Sequence, residues 1–152
     1  YSRGRDGAVA SCARHSGVER AEPGHEFGDR DVPQAQRAAL EELASESLSR
    51  HPIPAGNVVG HSDVAPGRKT DPGERFDWAG LAAAGVGLWP GDANPADAAD
   101  VPAMLSKYGY DVTAEAAAIT AFQRHFYPKT LDGRADGTLA GRINALVDLC
   151  KS

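Results

Sequence analysis

The chain has 152 residues, of which 41% are hydrophobic and 24% charged, so it can bury a core and does not have the composition of a disordered or collagen-like protein. Its net charge of −5 is spread along the chain, with ten basic and thirteen acidic residues in 1–90 and six and eight in 91–152, which leaves no basic patch for nucleic acid. No run of about 18 apolar residues occurs, so no membrane-spanning helix is predicted.

The two ends of the chain carry little pattern. Cys12 and Cys150 lie far apart and form no C-x-x-C pair, so we interpret them as two unpaired thiols. The chain begins at Tyr1 without a charged and apolar leader, and we expect the natural N-terminus to lie upstream. Residues 1–31 show no helical or strand period, and no element is predicted there.

The first clear element is a helix over 33–50. Pro33 suits a helix start, and the apolar residues that follow recur at the spacing of one helix face. They are Leu40, Leu43, Ala44 and Leu48. The pattern stops before His51, which Pro52 follows.

A short strand and a loop come next. The β-branched run at 57–60 predicts a buried strand with His61 at its end. Proline and glycine are frequent over 62–75 and make that stretch a loop. Asp77 is placed to cap a helix that Gly85 closes.

The character of the sequence changes after a linker at 91–97. Three helices are predicted, at about 100–107 with Gly109 as its stop, at about 113–126 opened by Thr113, and at about 137–150 opened by Asp136. Their apolar residues recur every three or four positions and predict one compact core. These residues are Met104, Leu105, Ile119, Phe122, Phe126, Leu139, Ile143, Leu146 and Val147.

Chemically informative residues are concentrated in the stretch NVVGHSDVAPGRKTDPGERFDW, residues 57–78. It contains His61, Lys69 and Asp71. Imidazole nitrogen and carboxylate oxygen are both good zinc ligands, and a braced loop can hold them in place. Spacing alone leaves two interpretations open, a surface hydrogen bond between the histidine and the aspartate or part of a zinc site.

The segment GHSDVAPGRKTDPGERFDW resembles the signature of the type 2 N-acetylmuramoyl-L-alanine amidases. Upstream, the residues at 17–19 and 23–28 resemble the strand with that family's catalytic Glu and the turn after it. The resemblance implies hydrolysis of the amide between N-acetylmuramic acid and L-alanine in peptidoglycan or its fragments. Zn²⁺ is the implied cofactor, and the cell envelope (periplasmic or outer-membrane associated) is the implied location.

The resemblance also implies a role for individual residues. His61 and Asp71 match two of three zinc ligands, Glu19 the general acid/base, and Lys69 the cation beside the metal. Zinc can lower the pKa of its water towards about 7 and polarise the scissile carbonyl. Glu19 would then move the proton to the leaving amine, and Lys69 would stabilise the oxyanion.

The third zinc ligand of the family is a histidine on an early strand, which we expect to lie upstream of Tyr1. Activity of this chain alone is therefore expected to be impaired. His15 is the alternative third ligand because it lies near Glu19. No role is assigned to His25, His51 or His125.

Residues 98–152 resemble the small three-helix peptidoglycan-binding domain of cell-wall hydrolases. The resemblance is carried by LSKYGYD, AITAFQRHF and DGRADGTL, although each residue singly is also explained as a helix stop, core or turn. Candidates for glycan contact by residue type are Tyr108, Tyr110, Gln123, Arg124 and Tyr127.

The predicted architecture is thus an incomplete α/β amidase-type unit over 1–90, with a mixed sheet and helices, a linker over 91–97, and an all-α three-helix domain over 98–152. The predicted partner is peptidoglycan or a muropeptide, without nucleic acid and without a membrane span. The rival hypothesis is a noncatalytic peptidoglycan-binding fragment, and a phage lysin would share both domains. A histidine-bearing strand and a leader encoded upstream would favour the enzyme.

Overall fold

The computed structural model of the protein describes residues 33–152, so the predictions for Glu19, His15 and His25 lie outside the described residues. Six α-helices are present in this part of the chain. They are α1 (Gln34–Arg50), α2 (His61–Val64), α3 (Trp78–Ala83), α4 (Val101–Tyr108), α5 (Glu115–Phe126) and α6 (Gly137–Leu149). Short 3-10 turns at Ala55–Asn57 and Ala98–Asp100 precede α2 and α4.

Helix α1 confirms the first predicted element. It begins directly after Pro33, whose carbonyl accepts the Arg37 amide at 3.0 Å. Its predicted apolar stripe is only partly packed within residues 33–152, because Ala44 is buried whereas Leu43 is 46% exposed. Ala44 joins a small apolar cluster, called here the first core, with Val58, Trp78, Leu81 and Val86.

The predicted mixed sheet is wrong for residues 33–152, which contain no strand. Val58 has an extended backbone, but its amide donates to the Ala55 carbonyl at 3.2 Å and closes a 3-10 turn. The Gly60 amide donates to the Asp63 carboxylate at 2.8 Å and opens α2. Because turns and caps take these amides, the β-branched run makes no ladder with a neighbour in this part of the chain, and His61 begins a helix instead of ending a strand.

Helices α4, α5 and α6 form the three-helix segment that the sequence predicts. Helix α4 ends at Gly109, which has φ +129° and so takes a conformation that other residues rarely adopt. The Asp136 carboxylate caps α6 by accepting the Leu139 amide at 2.7 Å. The Thr113 prediction is wrong, since α5 begins at Glu115 and Thr113 donates to Asp111 instead.

The second core lies between these three helices and is larger than the first core. Its buried residues are Val101, Leu105, Tyr110, Ala118, Ile119, Ala121, Phe122, Phe126, Leu139, Ala140, Ile143 and Leu146. Trp89 packs against both cores and links them. Most of the apolar residues that the sequence assigned to this core are buried in it, so the helical period there is a true packing signal.

The stretch at 91–97, predicted as a linker, lies against α6. The Ala96 amide donates to the Gly137 carbonyl at 2.9 Å. A Cβ on Gly141 would stand 2.0 Å from the Asn94 carbonyl oxygen, so only glycine permits this approach of the two backbones. The domain boundary at this stretch stays a prediction. Within residues 33–152, α-helices of the length and apolarity that a bilayer crossing requires do not occur.

Candidate metal site

The structure brings the two predicted metal ligands of the described region together. His61 is the first residue of α2, and the following loop returns so that the Ser62 amide donates to the Asp71 carbonyl at 3.1 Å. This closure places His61 Nδ1 in direct contact with Asp71 Oδ2. The two side chains are 24% and 27% exposed, so both can be reached from solvent while their backbones are held. The pair is called here the His61–Asp71 pair.

Gly60 makes the closure possible. Its φ of −90° is open to any residue, so its need for glycine comes from space and not from backbone conformation. A Cβ at this position would lie 2.7 Å from Pro72 Cδ and 3.2 Å from the Trp78 ring. The loop that carries Asp71 therefore packs directly on the backbone that precedes His61.

A second carboxylate supports the same turn from inside the protein. Asp63 is 7% exposed and accepts the Gly60 amide at 2.8 Å, the Tyr110 hydroxyl at 2.5 Å and His125 Nδ1 at 2.7 Å. These four residues are called here the Asp63 cluster. Burial of a carboxylate is costly unless donors surround it, and two of these donors come from the three-helix segment.

Two further properties stabilise the Asp63 cluster. Burial first, and then the charge and the hydrogen bond of the Asp63 carboxylate, raise the pKa of Tyr110 well above its usual range. The phenol therefore stays protonated and keeps donating. The His125 ring is itself 2% exposed and stacks on Trp78 with centroids 3.8 Å apart.

Lys69 lies in the same loop as Asp71, and its side chain is exposed. It lines a groove of about 280 Å³ between this loop and α5. The other residues that line the groove are Gly67, Thr70, Ala116, Ala117, Thr120 and Arg124. Arg124 Nε lies 3.6 Å from a Glu74 carboxylate oxygen. The groove thus has two cations, one on each side, next to a loop that carries a candidate metal ligand.

The other predicted site residues are distributed as follows. Glu19 lies outside the described residues, and within 33–152 no three His, Cys, Asp or Glu side chains are grouped closely enough to hold a metal ion. Among the glycan-contact candidates, Tyr110 and Gln123 are buried, so they serve the interior. Tyr108, Arg124 and Tyr127 remain partly exposed.

Sequence reasoning missed the roles of Asp63 and His125. Asp63 could have been found, because a carboxylate three residues after Gly60 is placed to accept that residue's amide at a helix start. His125 carried no such signal, since its partner lies 62 positions away along the chain.

A comparison with protein families agrees with this geometry. Residues 6–74 match the model of a family described as N-acetylmuramoyl-L-alanine amidase. This match includes Glu19, His61, Lys69 and Asp71, and it ends before α3. The family whose motif the sequence resembles is thus the family whose model these residues match.

Particular relatives extend the likeness. The chain is 38% identical over 133 residues to N-acetylmuramoyl-L-alanine amidase AmiD of Escherichia coli (strain K12), covering 75% of this chain and 48% of that relative. The part of this chain that the alignment covers is longer than residues 1–74. The homology to AmiD therefore extends beyond the segment that matches the family model. The chain thus spans about half the length of the curated relative it matches.

Two solved structures are similar as well. One is AmiD from E. coli in complex with the substrate anhydro-N-acetylmuramic acid-L-Ala-D-gamma-Glu-L-Lys, with a TM-score of 0.72 and 36% identity over 78% of this chain and 53% of that chain. The other is AmpDh3 from Pseudomonas aeruginosa, with a TM-score of 0.75 and 34% identity over 87% of this chain and 59% of that chain. Both identities are high enough for the likeness to reflect homology as well as fold.

Proposed function

We propose that this protein hydrolyses the amide bond between N-acetylmuramic acid and L-alanine in peptidoglycan or its fragments, with zinc as its cofactor. The observation that carries the proposal is the contact between His61 Nδ1 and Asp71 Oδ2 inside a segment that matches the amidase family. The solved E. coli relative has an anhydromuramoyl peptide as its substrate, and we assign the same substrate class here.

The residues present fit zinc. Imidazole nitrogen and carboxylate oxygen are ligands that this ion accepts, and here they meet at a partly exposed position. A catalytic zinc takes three protein ligands, and the resemblance assigns the third to a histidine upstream of the motif. When bound, zinc supplies Lewis acidity, which polarises a carbonyl and makes a water nucleophilic near neutral pH.

The chain's own groups divide the remaining work. His61 and Asp71 would hold the ion, and the backbone hydrogen bond from Ser62 to Asp71 limits the distance between the two ligands. Lys69 brings an ammonium group on the same loop, where it would stabilise negative charge that develops on the carbonyl oxygen. Glu19 would accept a proton from the attacking water and deliver it to the leaving amine of L-alanine.

The three-helix segment at 98–152 is proposed to bind peptidoglycan, and the protein to act in the cell envelope. The support is the resemblance of its three motif pieces to the wall-binding domain of cell-wall hydrolases. Tyr108, Arg124 and Tyr127 remain partly exposed and could contact glycan. Arg142 Cζ lies over the Tyr127 ring, 4.8 Å from its centroid, so a cation stands beside this aromatic candidate.

The test uses anhydro-N-acetylmuramic acid-L-Ala-D-gamma-Glu-L-Lys incubated with Zn²⁺ and a form of the protein that carries the expected upstream histidine, with the released peptide identified by mass spectrometry. The expected product is a peptide with a free L-alanine amine, and it should vanish after chelation and in His61→Ala and Asp71→Ala. His51→Ala is the control, because this exposed histidine lies before the motif at 60–78. Cleavage that survives both ligand changes overturns the proposal. No cleavage together with co-sedimentation on insoluble wall favours the noncatalytic binding protein.

A further inference from the structure

The candidate metal loop and the three-helix segment share one buried hydrogen-bond cluster. Asp63 lies two residues after His61, and its carboxylate is held by the hydroxyl of Tyr110 and the ring of His125. Tyr110 follows the end of α4, and His125 is in the last turn of α5. The sequence separations are 47 and 62 residues, so the cluster forms only when the three-helix segment docks.

The Asp63 cluster also holds the backbone next to the two candidate metal ligands. The Asp63 oxygen that accepts His125 Nδ1 also accepts the Gly60 amide, which fixes the turn that starts α2. His125 additionally stacks on Trp78, and the Trp78 ring packs against Gly60. The turn before His61 is thus held from one side by Asp63 and from the other by Trp78.

We propose that Tyr110 and His125 are positioning residues for the His61–Asp71 pair, and that the three-helix segment is therefore part of the catalytic unit as well as a candidate wall-binding module. The catalytic meaning of this inference rests on the proposed function. Its structural content, the ordering of the ligand loop by the three-helix segment, does not.

The reasoning follows from what each group would lose. Tyr110→Phe removes a hydroxyl and leaves the ring in its contact with Phe122. Asp63 therefore loses one hydrogen-bond donor, with little loss of packing. His125→Leu removes the other donor and the stack on Trp78. A buried carboxylate that loses a donor must find water or move, and either response loosens the Gly60 turn.

The test is amide hydrogen exchange of the whole chain by NMR, measured without metal at Gly60 and Ser62. These amides report the Asp63 bond and the closure onto Asp71. We expect Tyr110→Phe and His125→Leu to accelerate both amides roughly fivefold to a hundredfold. His125→Asn, which keeps a donor near the Nδ1 position, should restore much of the protection.

Two controls separate positioning from general stability. Tyr108→Phe removes the hydroxyl of a neighbouring tyrosine that is not among the Asp63 donors, and it should leave Gly60 and Ser62 unchanged. Ile143→Ala weakens the second core, in which Ile143 is fully buried, without changing the cluster. The inference is overturned if Ile143→Ala accelerates these two amides as much as Tyr110→Phe does at a similar melting temperature, or if neither cluster variant accelerates them.

Zn²⁺ affinity then distinguishes the inference from the proposed function. If the parent chain binds Zn²⁺, Tyr110→Phe should weaken binding by about tenfold, as loss of a supporting partner does at metal sites. Unchanged affinity together with unchanged amide exchange refutes the inference. Where Zn²⁺ binding by the chain is too weak to measure, the exchange rates alone decide whether the three-helix segment orders the loop, and the proposed function is judged separately by muropeptide cleavage.

Discussion

The three-helix segment and the loop region before it differ in how their structure is determined. In the three-helix segment, each helix carries its own apolar face, and fully buried residues such as Phe122 and Leu139 form the second core. The loop at 60–77 contains only the four-residue α2, and it contributes to the first core only through the partly buried Phe76. Its conformation depends on close packing at Gly60 and on donors from α5 and the end of α4. The three-helix segment therefore follows from local periodicity in the sequence, whereas the candidate site depends on contacts between residues far apart in the chain.

The largest expected effect tests whether the two cores melt together. Leu81→Ala in the first core and Leu139→Ala in the second remove the same atoms from sites that are 3% and 0% exposed. Each should cost about 2–5 kcal/mol of unfolding free energy. Because Trp89 and the Asp63 cluster join the cores, both variants should shift a single thermal transition, followed by circular dichroism. Two transitions, each moved by only one variant, would show that the regions fold independently.

A smaller effect is expected from Gly60→Ala. The added Cβ would meet Pro72 and Trp78 at 2.7 and 3.2 Å, so the loop must move away from the turn before His61. Overpacking of this kind costs about 1–3 kcal/mol and should also weaken Zn²⁺ binding. Gly85→Ala is the matched control. Its cost comes from the positive φ of +89°, and an added Cβ there would have no neighbour within 4 Å. Equal loss of metal affinity in the two variants would contradict the positioning role of Gly60.

The sequence predicted the helices far better than the site. The stop at Gly109 and the cap at Asp136 are confirmed, because these signals act within one turn of the residue that carries them. The strand at 57–60 is wrong for the described region, since a β-branched run specifies an extended backbone and not a partner. The contact of His61 with Asp71 followed from family resemblance, whereas the His125 support depends on a docking that no local pattern encodes.

The smallest effect concerns alkaline pH. Burial and the Asp63 carboxylate raise the pKa of Tyr110, so in the folded protein the phenol stays protonated where an unfolded tyrosine ionises. Above about pH 10 the folded state therefore binds more protons than the unfolded state. The contribution of Tyr110 to the free energy of unfolding is fully present below that pH and falls as pH rises, by at most about 1.4 kcal/mol per pH unit. Tyr110→Phe should lose this slope in urea unfolding, and Tyr108→Phe should keep it. An unchanged slope in Tyr110→Phe would place the titration elsewhere.

The central claim is that His61 and Asp71 act as metal ligands and do not form a surface hydrogen bond. The most direct measurement is Zn²⁺ affinity by chelator competition for a parent form that carries the expected upstream histidine, and for His61→Ala, Asp71→Ala and the control His51→Ala in that form. The parent form and the control should bind Zn²⁺ alike, and each ligand change should weaken binding by at least about tenfold, since even the loss of a supporting partner costs that much. Equal affinity in all four proteins would contradict the claim and leave the pair as a structural hydrogen bond.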